Sequence, residues 1–301
     1  MIPTAPTPVA LRRFTLFVAA STLFLIFAGA MVTSTGSGLA VPDWPLSYGM
    51  VMPPMVGGIF YEHGHRMIAA TVGFLTVLQA LFLQRWEPKR FLRRLGWTAV
   101  GAVIAQGLLG GLTVLFLLPK SISISHAALA EIFFCLNVSI AFFARRRNVG
   151  PALQPAPPAL ASRVLVALVF SQILIGALMR HLGAGLAIPD FPLSFGHLVP
   201  AFTSVAIAVN FAHRLGALLV TLAIFYVAAR TPRYRWALIA VVMLQLTLGA
   251  LTVWSGKHPI LTSLHVACGA LTLAVSLLTA LSARSHVAAP ARRLVPAEAS
   301  A

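Results

Sequence analysis

The sequence predicts an all-α membrane protein with eight transmembrane helices, arranged as two tandem four-helix bundles related by pseudo-two-fold symmetry. Three observations predict it. The 301 residues are 59% hydrophobic and only 9% charged, against roughly 25% charged residues in soluble domains. Eight apolar stretches are long enough to cross a bilayer, which takes about 20 residues each. A segment also recurs: Gly36-Ser-Gly-Leu-Ala-Val-Pro-Asp-Trp-Pro-Leu-Ser-Tyr-Gly49 returns as Gly183-Ala-Gly-Leu-Ala-Ile-Pro-Asp-Phe-Pro-Leu-Ser-Phe-Gly196, identical at ten of fourteen positions.

The first stretch, Phe14 to Ser34, is too long for a signal-peptide core and ends in Thr33-Ser34-Thr35-Gly36 rather than a cleavage site. It is expected to remain as the first span. The second and third, Ile59 to Leu83 and Leu95 to Leu117, are separated by Arg85, Lys89, Arg90, Arg93 and Arg94, and the fourth runs from Ile124 to Ala144. After Arg145, Arg146 and Arg147, the proline-rich segment Asn148 to Pro158 reads as a linker. Four more spans follow at Val164 to Leu182, Thr203 to Ala229, Trp236 to Ser255 and Ile260 to Ala283. The expected organisation is an N-terminal half at 1–147, a cytoplasmic linker at 148–162, a C-terminal half at 163–285 and a cytoplasmic tail at 286–301.

The repeat continues beyond the loop. His65-Arg66 matches His213-Arg214, Gln106 to Gly110 resembles Gln245 to Gly249, and Ser125-His126-Ala127 resembles Leu264-His265-Val266. Four spans per half return the chain to its starting side, so the halves share one orientation and are related by an axis along the membrane normal.

The net charge of +16 sorts by side. Arg12, Arg13, Arg163, Arg230, Arg233, Arg235, Arg284, Arg292 and Arg293 join the basic loops already named, whereas the alternate connections hold only Lys120, Arg180 and Lys257. The positive-inside rule then places both termini and the basic loops in the cytoplasm, and the expected setting is the inner membrane of a bacterial cell. Charge sorted in this way argues against a nucleic-acid partner. Cys135 and Cys268 fall within spans, form no close-spaced metal motif and read as packing residues.

The duplicated outer loops contain Pro42, Pro45, Pro53 and Pro54 in one half and Pro189, Pro192 and Pro200 in the other, which restricts their backbones. Trp44, Tyr48, Phe191 and Phe195 then read either as parts of lids over the helix ends or as an interfacial aromatic belt.

Histidines within spans are costly and point to function. His65 and His213 lie early in the second and sixth spans, and His126 and His265 begin the fourth and eighth. All four enter from the outer side at similar depth, which puts two imidazoles per half on facing helices, as in bundles that hold haem iron. The plainer reading is four hydrogen-bonded histidines at helix ends. His63, His181, His197 and His258 lack repeat partners and read as solvated at the outer surface, and His286 falls in the tail.

Arg66 and Arg214 follow the first ligand of each pair and suit either a haem propionate or snorkelling to lipid headgroups. Glu62 and Glu131 lie in spans of the first half only, where the second half has Asn210 and Ala270. Glu62 is one helical turn outward of His65 on the same face, a position for proton transfer or, alternatively, for an ion pair with Arg66. Glu131 is open to a structural or a functional reading. This asymmetry assigns chemistry to the first half and electron transfer to the second.

On the repeated loop, the Glu62-His63-Gly64-His65-Arg66 stretch and the histidines at 126, 213 and 265, nearly the whole chain resembles the haem A synthase family. The resemblance implies oxidation of a methyl group of haem O to a formyl group by successive hydroxylations, giving haem A for terminal oxidases. It implies haem O as substrate at His65 and His126 with Glu62 assisting, and haem b as cofactor at His213 and His265. Further candidate partners are a membrane electron donor, haem O synthase, oxidase assembly factors and a second copy of the chain. Some relatives carry a cysteine pair in the first outer loop, where this chain has Val41 and Ser47, so no thiol role is expected. Two other readings stay open: a dihaem b-type cytochrome exchanging electrons with quinone, which gives no reason for the Glu62/Asn210 difference, and a proton-coupled transporter, which needs no paired ligands.

Overall fold

The computed structural model describes residues 7–146 and 158–287, the last four by their backbone only. Eight long helices account for most of them: α1 (Val9–Ser34), α2 (Gly58–Trp86), α3 (Arg90–Leu115), α4 (Lys120–Arg145), α5 (Ala159–His181), α6 (Val205–Ala229), α7 (Arg235–Trp254) and α8 (Pro259–Val287). At about 1.5 Å per residue even the shortest, α7, spans the roughly 30 Å hydrocarbon core. All eight are long and apolar enough to cross a membrane, and the chain is a multi-pass membrane protein. Positions 148–157 of the expected linker, Arg147, Arg292, Arg293, the tail beyond 287 and the side chains of Arg284 and His286 lie outside what is described.

Local chemistry sets the helix ends. Proline precedes α1, α4 and α5 at Pro8, Pro119 and Pro158 and opens α8 as Pro259, where its missing N–H leaves no helical bond unmade. Ser204 caps α6 by accepting the Ile207 N–H. After α1 the chain turns at Gly36, with φ of 68°, while Ser37 N–H donates back to the Val32 carbonyl. Gly183 repeats that turn after α5, also at φ of 68°.

Within each half the helices close a ring, α1–α2–α3–α4 and α5–α6–α7–α8, and the halves meet through α1, α4, α5 and α8. Helices α8 and α4 are the most buried of the eight, which places them at the centre. Between the halves lie Ala19, Phe134, Val138, Ala141, Ala270 and Ala274, mostly small residues that let the backbones approach closely. At the end where α1 and α5 finish, Arg180 of α5 crosses the junction to donate to the Ala30 carbonyl and to Ser34 of α1.

The apolar cores occupy one end of each bundle. In the first half the core includes Leu83, Leu92, Phe133 and Ile140, and in the second Leu165, Ile224, Leu238 and Leu273. The histidines lie toward the opposite end. The first core is threaded by amides, since Gln79 donates to Asn137 and Asn137 donates to Thr22.

Candidate functional site

Each of the four repeat-matched histidines rests against a glycine of the neighbouring helix. A β-carbon on Gly29 of α1 would lie 2.9 Å from His65 Cε1, and one on Gly176 of α5 would lie 3.0 Å from His213 Cε1. Gly110 of α3 and Gly249 of α7 hold the same relation to His126 and His265, at 3.2 and 3.1 Å. These four glycines match each other across the repeat, and any side chain in their place would push on the imidazole.

Three of the histidines also meet a glutamine. Gln106 Nε2 donates to the His126 carbonyl at 3.0 Å and stands 3.3 Å from its Nε2. In the second half Gln172 Nε2 donates to the His213 carbonyl at 2.7 Å and stands 3.1 Å from Nδ1. Gln245 places its amide 3.4 Å from His265 Nε2 and its main-chain carbonyl 3.2 Å from Nδ1. A carbonyl there holds the Nδ1–H tautomer, which makes Nε2, now faced by the Gln245 amide, the nitrogen that would bind a metal. Neither the glycines nor the glutamines were assigned a role from sequence, although the matched Gln106/Gly110 and Gln245/Gly249 pairs carried the signal.

Glu62 and Asn210 occupy equivalent buried positions, each about 4% exposed or less. Glu62 forms a 2.7 Å ion pair with Arg66 and accepts the Val41 N–H at 2.8 Å. Asn210 accepts from Arg214 at 3.0 Å and donates to the carbonyls of Ala184 and Gly185. Both residues therefore tie an arginine to the outer loop. The arginines complete the tie: Arg66 donates to the carbonyls of Val41, Asp43 and Leu46, and Arg214 to those of Ile188 and Leu193.

The loops themselves are latched by carboxylates. Asp43 accepts the N–H groups of Tyr48 and Gly49, and Asp190 those of Phe195 and Gly196. The Gly49 and Tyr48 N–H groups hold the Asp43 carboxyl below its ordinary value, and Gly196 and Phe195 do the same for Asp190. Trp44 lies flat over α3, where a β-carbon on Gly111 would come within 2.6 Å of its ring. Trp254 donates to the Phe191 carbonyl at 3.3 Å. Trp44 and Phe191 are thus held against the helix ends, although Trp44 is itself 37% exposed, whereas Tyr48 and Phe195 are exposed at 50% and 47%.

The expectation of solvated outer histidines holds for His197 and His258, which are exposed, but not for His63. His63 is only 6% exposed and its Nδ1 pairs with Ser47 at 2.8 Å, because the latched loop folds down over the start of α2. His181 is half-buried. Glu131 is buried in α4, and its Oε2 has no hydrogen-bond partner among the described residues. Cys268 is buried and Cys135 partly so, each free.

The residues fit a haem in their donor set. No group of three or more His, Cys, Asp and Glu occurs among the described residues, so a bare ion has no cage, but paired imidazoles suit an iron whose other ligands are porphyrin nitrogens. The His213 and His265 ring centroids stand 6.4 Å apart. Two imidazole–metal bonds of about 2 Å each and the depth of each ring behind its nitrogen together span about 6 Å, which leaves room for one iron. His65 and His126 each keep a buried Nδ1 without a partner.

The sequence profile of COX15-CtaA, described as cytochrome oxidase assembly protein, matches residues 12–57 and 55–277. The chain belongs to the COX15-CtaA family. Among its relatives in that family, Heme A synthase of Symbiobacterium thermophilum is 33% identical over 220 residues, covering 70% of this chain and 72% of the relative. Heme A synthase of Shouchella clausii is 33% identical over 224 residues, 70% of this chain and 73% of the relative. That of Halalkalibacterium halodurans is 27% identical over 279 residues, 85% of this chain and 91% of the relative.

Proposed function

We propose that this protein is a haem A synthase, an oxidoreductase that converts haem O to haem A, with its two halves doing different work. The N-terminal half, 1–147, holds the substrate haem O between His65 and His126. The C-terminal half, 163–285, holds haem b between His213 and His265. When bound, haem b supplies one-electron transfer. The inner membrane of a bacterial cell is the setting, with both termini cytoplasmic and the histidines toward the outer side, a reading that the sorting of basic residues supports.

One observation carries the division of labour. Asn210 ties its arginine to its loop with an amide, so that structural task needs no ionisable group. Glu62 does the same task with a carboxylate in a position one turn from His65. The surplus chemical capacity of Glu62 is a proton-accepting oxygen, and a methyl group being oxidised must give up protons. The task that Arg66 and Arg214 share is to hold the loops, while the N–H groups not engaged by the loop carbonyls, Glu62 or Asn210 are available to haem propionates. Electron delivery comes from a membrane donor, and haem O synthase, oxidase assembly factors and a second copy of the chain are the candidate protein partners.

Absorption and pyridine haemochrome of the detergent-purified chain test this reading. Haem b together with haem O or haem A supports it. Haem b alone points instead to a dihaem cytochrome.

A further inference from the structure

The four histidine seats share a glycine but not the hold on the ring. Of these four rings, only that of His65 makes no hydrogen bond among the described residues, and its buried Nδ1 is left without a partner. The cause lies on α1. Gln172, which holds His213, is four residues before the seat glycine Gly176, and the residue four before Gly29 is Leu25. A second difference goes with the first. Gly216 of α6 leaves the space that the Gln172 amide fills, since a β-carbon there would collide with Oε1, and three residues after His65, where His213 is followed by Gly216, stands Ile68. Leu25 and Ile68 both pack against the first apolar core instead.

We propose that Gln172, seated against Gly216, is a positioning residue that makes the second-half haem resident, and that the Leu25/Ile68 pair leaves His65 a releasable ligand. A haem A synthase must keep one haem and pass the other through, yet the two sites have the same histidines and the same glycine seats. Besides Glu62 and Asn210, the two sites differ in what holds the imidazoles. The Gln172 amide grips His213 at two points, its carbonyl and its ring. Its Oε1 is buried and unpartnered, and turning it toward Nδ1–H, the pairing required by a ligand that binds iron through Nε2, exchanges the bond to the His213 carbonyl for one to the ring. A leucine at the same place offers no such hold, so the His65 ring can turn away from the iron at little cost and let the product haem leave. Gln106 keeps His126 as the fixed side of that site.

This inference rests on the reading that His213 and His265 hold haem b, and the test separates the two. The full-length chain in detergent is mixed with apomyoglobin, and haem b transfer is followed by absorption for Gln172→Met, which keeps the volume, and Gly216→Ala, which displaces the amide. Losing an outer-shell partner of this kind costs about 10- to 100-fold in affinity, so transfer should quicken by that factor in both, with a changed low-spin haem spectrum and unchanged thermal unfolding. Gln172→Glu, which keeps an acceptor for Nδ1–H, should restore slow transfer. In the first half Leu25→Gln with Ile68→Gly should slow release of added haem O. Wild-type transfer rates in Gln172→Met and Gly216→Ala, with haem b still lost from His213→Ala, overturn the inference and leave the site assignment standing. Haem b retained by His213→Ala overturns the assignment itself. If either second-half variant fails to fold, unchanged haem O release from the first-half double variant is sufficient to overturn the proposal.

Discussion

Gly176 stands so close to His213 that a single added methyl group would lie 3.0 Å from the ring's Cε1. Gly176→Ala and Gly249→Ala should therefore tilt the imidazoles and lower the content of tightly bound haem, even though alanine in place of glycine favours a helix by about 0.5–1 kcal/mol. Gly101→Ala is the control, because a β-carbon there meets nothing within 4 Å. Haem per polypeptide and the low-spin absorption bands check this. Unchanged spectra in both seat variants would show that the glycines only serve helix packing.

Removal of a ligand is the coarser test of the same half. His213→Ala and His265→Ala should each lose most of the tightly bound haem b while retaining the wild-type elution volume, since the C-terminal core lies at the far end of the bundle. Full retention of haem b in both variants would remove these histidines from the ligand set.

How much of this was legible in the sequence depends on the physical signal each feature leaves. The spans were, because about 20 apolar residues have no other stable setting. The matched loop and histidines gave the two halves. His63 was misplaced because a loop that is remote along the chain folds over it and supplies Ser47, and no local pattern encodes that contact. The glycine seats and glutamine partners were present as repeat matches without a meaning, since closeness between helices becomes visible only when they pack. Leu25 is the hardest case, as its interest lies in not being the glutamine found at 172.

The basic residues predict the side on which the histidines lie. A reporter fused after Arg293 should behave as cytoplasmic and one inserted near Lys120 as external. An external carboxyl terminus would reverse the orientation of both sites.

The loop latches have a defined dependence on pH. Asp43 and Asp190 have carboxyls depressed below the ordinary value of 3.8 by the N–H groups they accept, Gly49 and Tyr48 in one loop and Gly196 and Phe195 in the other. Groups of this kind contribute stability that is fully present above the unfolded value and is lost as pH falls through the lower folded value. Hydrogen-exchange protection factors of Tyr48 and Gly49 should be flat from neutral pH down to about 4 and collapse only below it, whereas Asp43→Asn should weaken them at every pH. A transition near neutrality would mean that another group controls the loop.

Glu62 decides between a chemical and a merely structural first half, because Asn210 already shows that an amide can tie the arginine to the loop. Glu62→Gln keeps the shape and most of the hydrogen bonding and removes ionisation. The deciding measurement is haem O to haem A conversion by Glu62→Gln and by Asn210→Asp, compared at equal expression and equal haem b content. If the carboxylate moves protons, conversion in Glu62→Gln falls roughly 10²-fold or more, with haem binding intact, and Asn210→Asp stays near wild type. Near-normal conversion by Glu62→Gln would contradict the account, leaving the carboxylate as no more than the partner of Arg66.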